Sequence, residues 1–156
     1  MNSREPAIEQ VTSHEGLAAV ARLEAVCFTN PWTLEMLERE LDQSPVARVF
    51  AVRDESGDVA AFCTCWIILD ELHINTIAVA PNRRREGLAT RLMRHVMREA
   101  ARAGSRRATL EVRASNTAAR RFYSKLGFVE TAVRPRYYTQ PEEDGIILWL
   151  EGLAGG

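Results

Sequence analysis

Apolar residues recur along this chain in two rhythms, a period of two and a period near 3.6. The places where one gives way to the other mark its elements. The clearest change lies between Leu72 and Thr90. Residues 72–79 carry Ile74, Ile77 and Val79, good strand formers. Ala80-Pro81-Asn82 ends that run, because Pro81 has no N–H for a ladder. Beyond Arg83-Arg84-Arg85 and Glu86-Gly87, apolar residues fall at Leu88, Leu92 and Val96 and at Ala89, Met93, Met97 and Ala100, which is helical spacing.

The other elements follow from the same patterns. Residues 6–11 read as an edge strand. Thr12-Ser13-His14-Glu15 has the form of a capping box, with Thr12 as the cap and Glu15 reaching back. The helix it opens carries Leu17, Val20, Ala21, Leu23, Glu24, Cys27 and Phe28 and stops before Asn30-Pro31. Trp32-Thr33 opens a shorter helix capped by Thr33, with Leu34, Leu37 and Leu41 as its buried stripe, closed by Ser44-Pro45. Residues 46–53 and 59–69 read as strands around a polar hairpin loop, with Gly57 as its left-handed residue. The long helix ends near Arg102, punctuated by Gly104. A strand over 107–113 follows, then a helix over 117–126 capped by Ser115-Asn116 and ended by Gly127. Residues 128–133 and 145–150 close the chain as a strand pair, and 152–156 read as a frayed tail. The order predicts a layered α/β (α+β) fold, a mixed and mostly antiparallel sheet of about seven strands flanked by about four helices.

A length of 156 residues with 46% hydrophobic content suits one domain over 1–156 with its own core. A net charge of -1 disfavours a dedicated nucleic-acid binder, although arginines cluster between Arg83 and Arg113. No run is long enough to cross a membrane and no secretory leader is evident. Cys27, Cys63 and Cys65 make no paired framework, and the histidines show no metal-ligand spacing, so no metal is expected. A reducing cytoplasm fits this usage.

Chemistry concentrates in two stretches. At the strand-to-helix junction, a helix start offers unpaired N–H groups and partial positive charge, Gly87 lets an anion approach, and Arg83, Arg84 and Arg85 add countercharge. A pyrophosphate is the natural guest; the alternative is an ordinary basic helix start. The junction is neither a Walker loop nor a dinucleotide fingerprint, since it lacks their glycines and Gly-Lys-Ser/Thr. In the second stretch, Thr109, Glu111 and Arg113 share one strand face and Leu110 and Val112 the other. Glu111 in so apolar a strand must be wet, paired (with Arg113 or Arg107) or used as a base. Tyr123, about two turns into the next helix, is a proton donor or a packed aromatic. Asn116 is a helix cap, a ligand, or both. His73 alternates with Asn75 and Ile77 and reads as a wet-face histidine or a second base. Cys63 and Cys65 share a strand face as core thiols or, less commonly, as an acyl carrier.

Arg84-x-x-Gly87-x-Ala89 resembles the Arg/Gln-x-x-Gly-x-Gly/Ala loop of the GNAT superfamily of N-acetyltransferases, and Ile77-Ala78-Val79 resembles that family's splayed fourth strand. Leu110-Glu111-Val112-Arg113-Ala114-Ser115-Asn116 and Tyr123-x-x-Leu126-Gly127-Phe128 resemble its RimI type, the ribosomal-protein-alanine N-acetyltransferases. Phe28-x-x-Pro31-Trp32 and Arg136-Tyr137-Tyr138 extend the likeness to nearly the whole chain. The resemblance implies acetyl-coenzyme A (acetyl-CoA) as co-substrate, contacted by Ile77, Ala78, Val79, Arg84, Arg85, Glu86, Gly87, Leu88, Ala89, Thr90 and Asn116. It implies Glu111 as base and Tyr123 as acid, an acceptor groove lined by Trp32, Tyr137 and Tyr138, and the N-terminal alanine of a small-subunit ribosomal protein as acceptor. Acidic Glu71, Glu142, Glu143 and Asp144 would suit a basic peptide. Ala89 replaces the pattern's second glycine, Thr76 stands where asparagine is more usual, and the 139–144 segment is short. The alternatives are another protein N-terminus, a lysine or small amine as acceptor, and a non-catalytic acetyl-CoA-binding module.

Overall fold

A computed structural model of the chain describes residues 7–153. Its elements run β1 (Ile8–Gln10), α1 (His14–Cys27), α2 (Leu34–Gln43), β2 (Ala47–Arg53), β3 (Val59–Ile68), β4 (Glu71–Val79), α3 (Leu88–Arg102), β5 (Arg107–Arg113), α4 (Thr117–Lys125), β6 (Val129–Tyr138) and β7 (Glu143–Leu150). The strands form one sheet in the order β1-β2-β3-β4-β5-β7-β6, antiparallel except for the β4–β5 pair. This is the layered, mixed sheet with four helices that the element order predicts. Pro6, placed in the first strand by the sequence, lies outside the described residues, as do positions 154–156 of the expected tail. Leu153 is anchored: its N–H donates to Arg106 O at 2.7 Å and its side chain packs on the core.

The sheet separates two cores. On one face, Leu88, Leu92, Met93, Val96 and Ala100 of α3 and Tyr123 of α4 pack on Cys63, Cys65, Leu72, Ile74, Leu110 and Val112. On the other, Leu17, Val20 and Leu23 of α1 and Leu37 of α2 pack on Val49, Ala51, Phe62 and Ala78. The helix spacings of three to four residues that put these stripes together are those visible in the sequence.

Three local expectations change. The cap of α1 is Ser13, whose side chain accepts from Gly16 N, not Thr12; the box sits one residue later. The closing pair is longer than 128–133 and 145–150, since β6 runs through Pro135 to Tyr138 and β7 starts at Glu143. Pro135 is tolerated because β6 is the sheet's edge, where a missing N–H breaks no ladder, and the register shifts between Arg134 and Tyr138 absorb it. The alternation of β4 is broken at Asn75: Cys65 pairs with Ile74 but Thr64 pairs with Thr76, so Asn75 is an extra residue. Leu72 and Ile74 face the α3/α4 side, and beyond the bulge Ile77 and Val79 face that side too, while Ala78 joins the opposite core. His73 and Ile77 therefore do not share a face.

Candidate active site

The ladder between β4 and β5 lasts only from Glu71–Arg107 to His73–Thr109. Beyond it β4 continues to Val79 paired with β3 alone, so its other edge has no strand partner. The strands part there, and the opening leads into a cleft of about 670 Å³. Ile77, Ala78, Val79, Arg84, Arg85, Gly87, Leu88, Ala89, Thr90, Asn116 and Tyr123 all line it. The volume is in the range of a cofactor-sized site, roughly 300–1,000 Å³.

The cleft's far wall is the start of α3. Its N-cap, Gly87, adopts φ 77 and ψ 12, and no side chain caps the first turn. Arg85 is also left-handed, at φ 68, in a loop whose Arg84, Arg85 and Gly87 line the cleft. The N–H groups at the start of a helix have no intrahelical acceptor and carry partial positive charge. Arg84 Nε donates to Val79 O at 3.3 Å, tying the loop to the strand end. Of the predicted contacts, Glu86 stands apart: it does not line the cleft, and both its carboxylate oxygens accept from Arg83 Nε. Asn116 caps α4, accepting from Ala119 N at 3.1 Å, while lining the cleft.

Tyr123 is 4% exposed, edge-on to Phe122 and Phe128 with ring centroids 5.0 and 5.5 Å away. Burial, then the nearby Cys63 thiol, holds its phenol well above the usual range, so it stays protonated. Glu111 is half-buried in a separate cavity of about 300 Å³, with Trp66, His73, Asn75, Tyr137 and Tyr138. Neither arginine pairs with it: Arg113 turns to Glu143 and Arg107 to Glu71. Instead the Tyr137 hydroxyl hydrogen bonds to Glu111, which pushes that phenol's ionisation up. Burial, then the Glu111 charge, raises Tyr138 to about 12.

Trp32 lies in a third cavity, of about 290 Å³, which shares Trp66 and Asn75 with the Glu111 cavity. Trp32 on one side and Tyr137 and Tyr138 on the other thus border two neighbouring cavities that meet at Trp66 and Asn75. Glu24, assigned only to the first helix by sequence, is 3% exposed on the wall of the 290 Å³ cavity and accepts from Trp32 N at 3.1 Å. Burial raises its pKa. The signal was present: Glu24 falls on the stripe of Leu17, Val20 and Cys27, where a carboxylate has no bland reason to be. Cys27 and Phe122, also unassigned to the site by sequence, line the 670 Å³ cleft. Cys63 and Cys65 are buried core thiols. Of the acids expected to attract a basic peptide, Glu71 holds His73 and Arg107, Glu143 holds Arg113 and Ser115 N, and Asp144 accepts from Arg136 N.

The acetyltransferase (GNAT) family profile matches residues 17–128. The chain is a GNAT acetyltransferase. A Bacillus subtilis (strain 168) protein provisionally named a [ribosomal protein bS18]-alanine N-acetyltransferase is 35% identical to this GNAT chain over 136 residues, 87% of this chain and 89% of its own length. The crystal structure of the Escherichia coli ribosomal-protein-S18-alanine N-acetyltransferase superposes with a TM-score of 0.82 at 33% identity, covering 93% of this chain and 92% of that one. The fold alone is shared with Arabidopsis thaliana NAA60, solved in complex with acetyl-CoA, at a TM-score of 0.80 and 16% identity over 93% of this chain and 97% of that one. Among the described residues, no group of three or more His, Cys, Asp or Glu could hold a metal, and no helix is long and apolar enough to cross a membrane.

Proposed function

We propose that this acetyltransferase moves the acetyl group of acetyl-CoA to the N-terminal α-amine of a protein, the alanine that begins a small-subunit ribosomal protein, within one domain spanning the chain. The observation that carries the reading is the parting of β4 from β5 between two differently built recesses. The 670 Å³ cleft suits the donor: an uncapped helix start for the pyrophosphate, and a free strand edge for the amide-bearing pantetheine arm. The 300 Å³ cavity, with aromatic walls and Glu111, suits a peptide end. The names of the Bacillus and Escherichia relatives support the acceptor.

The residues then divide the work. An α-amine has a pKa of about 7.7–8.0, so Glu111 need only take a proton near neutrality, directly or through water. The amine nitrogen attacks the thioester carbonyl carbon, the C–S bond breaks, and the departing thiolate takes the Tyr123 proton; the proton that the nitrogen sheds as it becomes an amide restores the Tyr123 phenol. The burial that raises the Tyr123 phenol also raises the basicity of a thiolate formed beside it, which keeps the transfer matched. N–H groups on the edge of β4 that β5 leaves free, near Val79, would hold the carbonyl oxygen as negative charge develops. No enzyme nucleophile is required.

The test is acetyl transfer to short peptides that differ only in their first residue, with a blocked peptide carrying an internal lysine. Transfer to the free alanine terminus, lost in Glu111→Gln, is the expected result. Transfer only to lysine or to small amines would overturn the acceptor, and bound donor without transfer to any amine would overturn the enzymatic reading.

A further inference from the structure

The outer face of α3 carries Arg91, Arg94, Arg98 and Arg102. They follow one another at intervals of three and four residues, which on a helix makes one row about 16 Å long. The other side of α3 is buried against the sheet through Leu92, Met93, Val96 and Ala100. Glu99, the one acid of this helix, is held by Arg102 at 2.7 Å. Arg94 and Arg98 are exposed, and neither forms an ion pair among the described residues. On α4, in the same layer, Arg120 pairs with Glu130, while Arg121 and Lys125 are exposed one turn apart.

The opposite layer has the reverse sign. Helices α1 and α2 carry six acids, from Glu15 to Asp42, against Arg22 and Arg39, whereas α3 and α4 carry seven basic side chains against Glu99. A net charge of -1, which by itself disfavours a nucleic-acid binder, therefore averages two faces of opposite sign. Large exposed apolar side chains are segregated as well. Val26, Phe28, Trp32 and Met36 run from the end of α1 to the start of α2, and among the described residues none lies on α3 or α4.

A basic face without large apolar side chains narrows what can cover it. A protein interface is built around an apolar core, and a bilayer surface takes up side chains that insert; the outer face of α3 offers neither. A row of guanidinium groups suits the regularly spaced anions of a phosphodiester backbone, which arginine binds in bidentate fashion. The row also stands apart from the 670 Å³ cleft. Leu88, Ala89 and Thr90 line that cleft from the first turn of α3, and Arg94, Arg98 and Arg102 do not.

We propose that the arginine row of α3 docks this acetyltransferase on the phosphate backbone of structured RNA, with the acidic α1/α2 layer turned away from the phosphates. The choice of RNA rests on the reading of the acceptor as a ribosomal protein, whose surroundings are RNA. Docking acts on encounter: it concentrates the enzyme beside acceptors held on RNA and leaves the chemical step alone.

The experiment titrates a fluorescent RNA stem-loop with the whole protein by anisotropy, between about 50 and 300 mM KCl. For wild type, log K falls against log salt with a slope of about −3, as for roughly four phosphate contacts. Arg94→Glu/Arg98→Glu weakens binding about tenfold or more and flattens the slope by about 2. Arg22→Glu/Arg39→Glu, the same change of net charge on the opposite layer, stays within about threefold of wild type. If the reversal on α3 fails to fold, Arg94→Gln/Arg98→Gln removes the same two contacts and carries the loss. All variants keep kcat and KM for a free alanine-starting peptide within about twofold, since no reacting group is touched. Tethering that peptide to the stem-loop lowers the wild-type KM about tenfold, and Arg94→Glu/Arg98→Glu loses this gain. Absent or salt-independent binding, equal losses in the α3 and α1/α2 variants, or displacement of the stem-loop by saturating acetyl-CoA overturns the docking surface alone. A wild-type protein that binds the stem-loop through Arg94 and Arg98 but acetylates no amine upholds the surface and overturns the enzymatic reading.

Discussion

The ring of Tyr137 fills the space that a side chain at Gly145 would need: a Cβ there would stand 3.0 Å from Tyr137 Cδ2 and 3.2 Å from its Cβ. The empty side of one β7 residue is therefore the seat of the phenol that bonds to Glu111. Gly145→Ala is expected to displace Tyr137 and to cost about 1–3 kcal/mol of stability through overpacking. Tyr137→Phe removes only the hydroxyl and should leave the Tm nearly unchanged. Both lower kcat/KM for peptide and spare donor affinity; steady-state kinetics beside calorimetric donor titration separates the two effects.

Glu111 and Tyr123 lie on opposite faces of the sheet, one in the 300 Å³ cavity and the other in the α3/α4 core. A base for the amine and an acid for the thiolate belong on opposite sides of the thioester, so the two variants should fail differently. Tyr123→Phe is expected to lower kcat by about 10²–10⁴-fold at every pH, with acetyl-CoA affinity within threefold. The Glu111→Gln deficit should narrow as pH rises past the α-amine range of about 7.7–8.0, where free amine accumulates without help. Rate–pH profiles of both variants check this.

Asn116 caps α4 and lines the 670 Å³ cleft proposed to take the donor, and two substitutions separate a cap from a ligand contact. Asn116→Ala loses the cap, about 1 kcal/mol, and should lower the Tm by a few degrees. Asn116→Asp keeps a capping oxygen but brings a negative charge toward a phosphate-bearing ligand. It should hold the Tm while weakening acetyl-CoA binding severalfold in a calorimetric titration.

Much of this site is legible in the sequence because its features are local. The change of period between Ile77 and Leu88, Pro81 after the strand and Gly87 before the helix specify the loop that begins α3 without reference to distant residues. What escapes is set by pairing. The extra residue at Asn75 leaves no compositional mark, since Asn75 and Thr76 suit a bulge or a regular strand alike, yet it puts Ile77 on the face opposite His73. Pro135 reads as a strand end until β6 is known to be the edge. The contact of Tyr137 with Gly145 depends on a strand register that no local pattern fixes.

Burial raises the Glu24 pKa, with a smaller opposing effect from Trp32 N–H. A carboxyl whose folded pKa lies above its unfolded value stabilises most below the unfolded pKa, and that contribution fades as pH rises through the folded one. Between those limits the native state binds more protons, so stability falls with rising pH. Glu24→Gln keeps an oxygen for Trp32 N–H and removes the ionisation. Its Tm should match wild type near pH 4 and exceed it by about 2 °C at pH 7.5. Thermal melts across that range test the sign; a variant less stable at pH 7.5 would show that the charge itself is needed.

Cys27 is partly exposed on the wall of the 670 Å³ cleft, whereas Cys63 and Cys65 are buried in the α3/α4 core. A disulfide reagent reacts with thiolate, so access and ionisation both count. Burial raises the Cys27 thiol, partly offset by the Arg84 guanidinium, so its reaction should be slow near neutrality and quicken as pH rises. Cys63 is raised much further, first by its hydrogen bond with Cys65 and then by burial. The native protein should therefore show one reactive thiol, and the denatured protein all three. Saturating acetyl-CoA should slow the native reaction, because the donor would lie against Cys27 along the edge of β4. Fast reaction that acetyl-CoA leaves unchanged would place the donor elsewhere, and protection lost in Gly87→Ala would tie the cleft to the loop that begins α3.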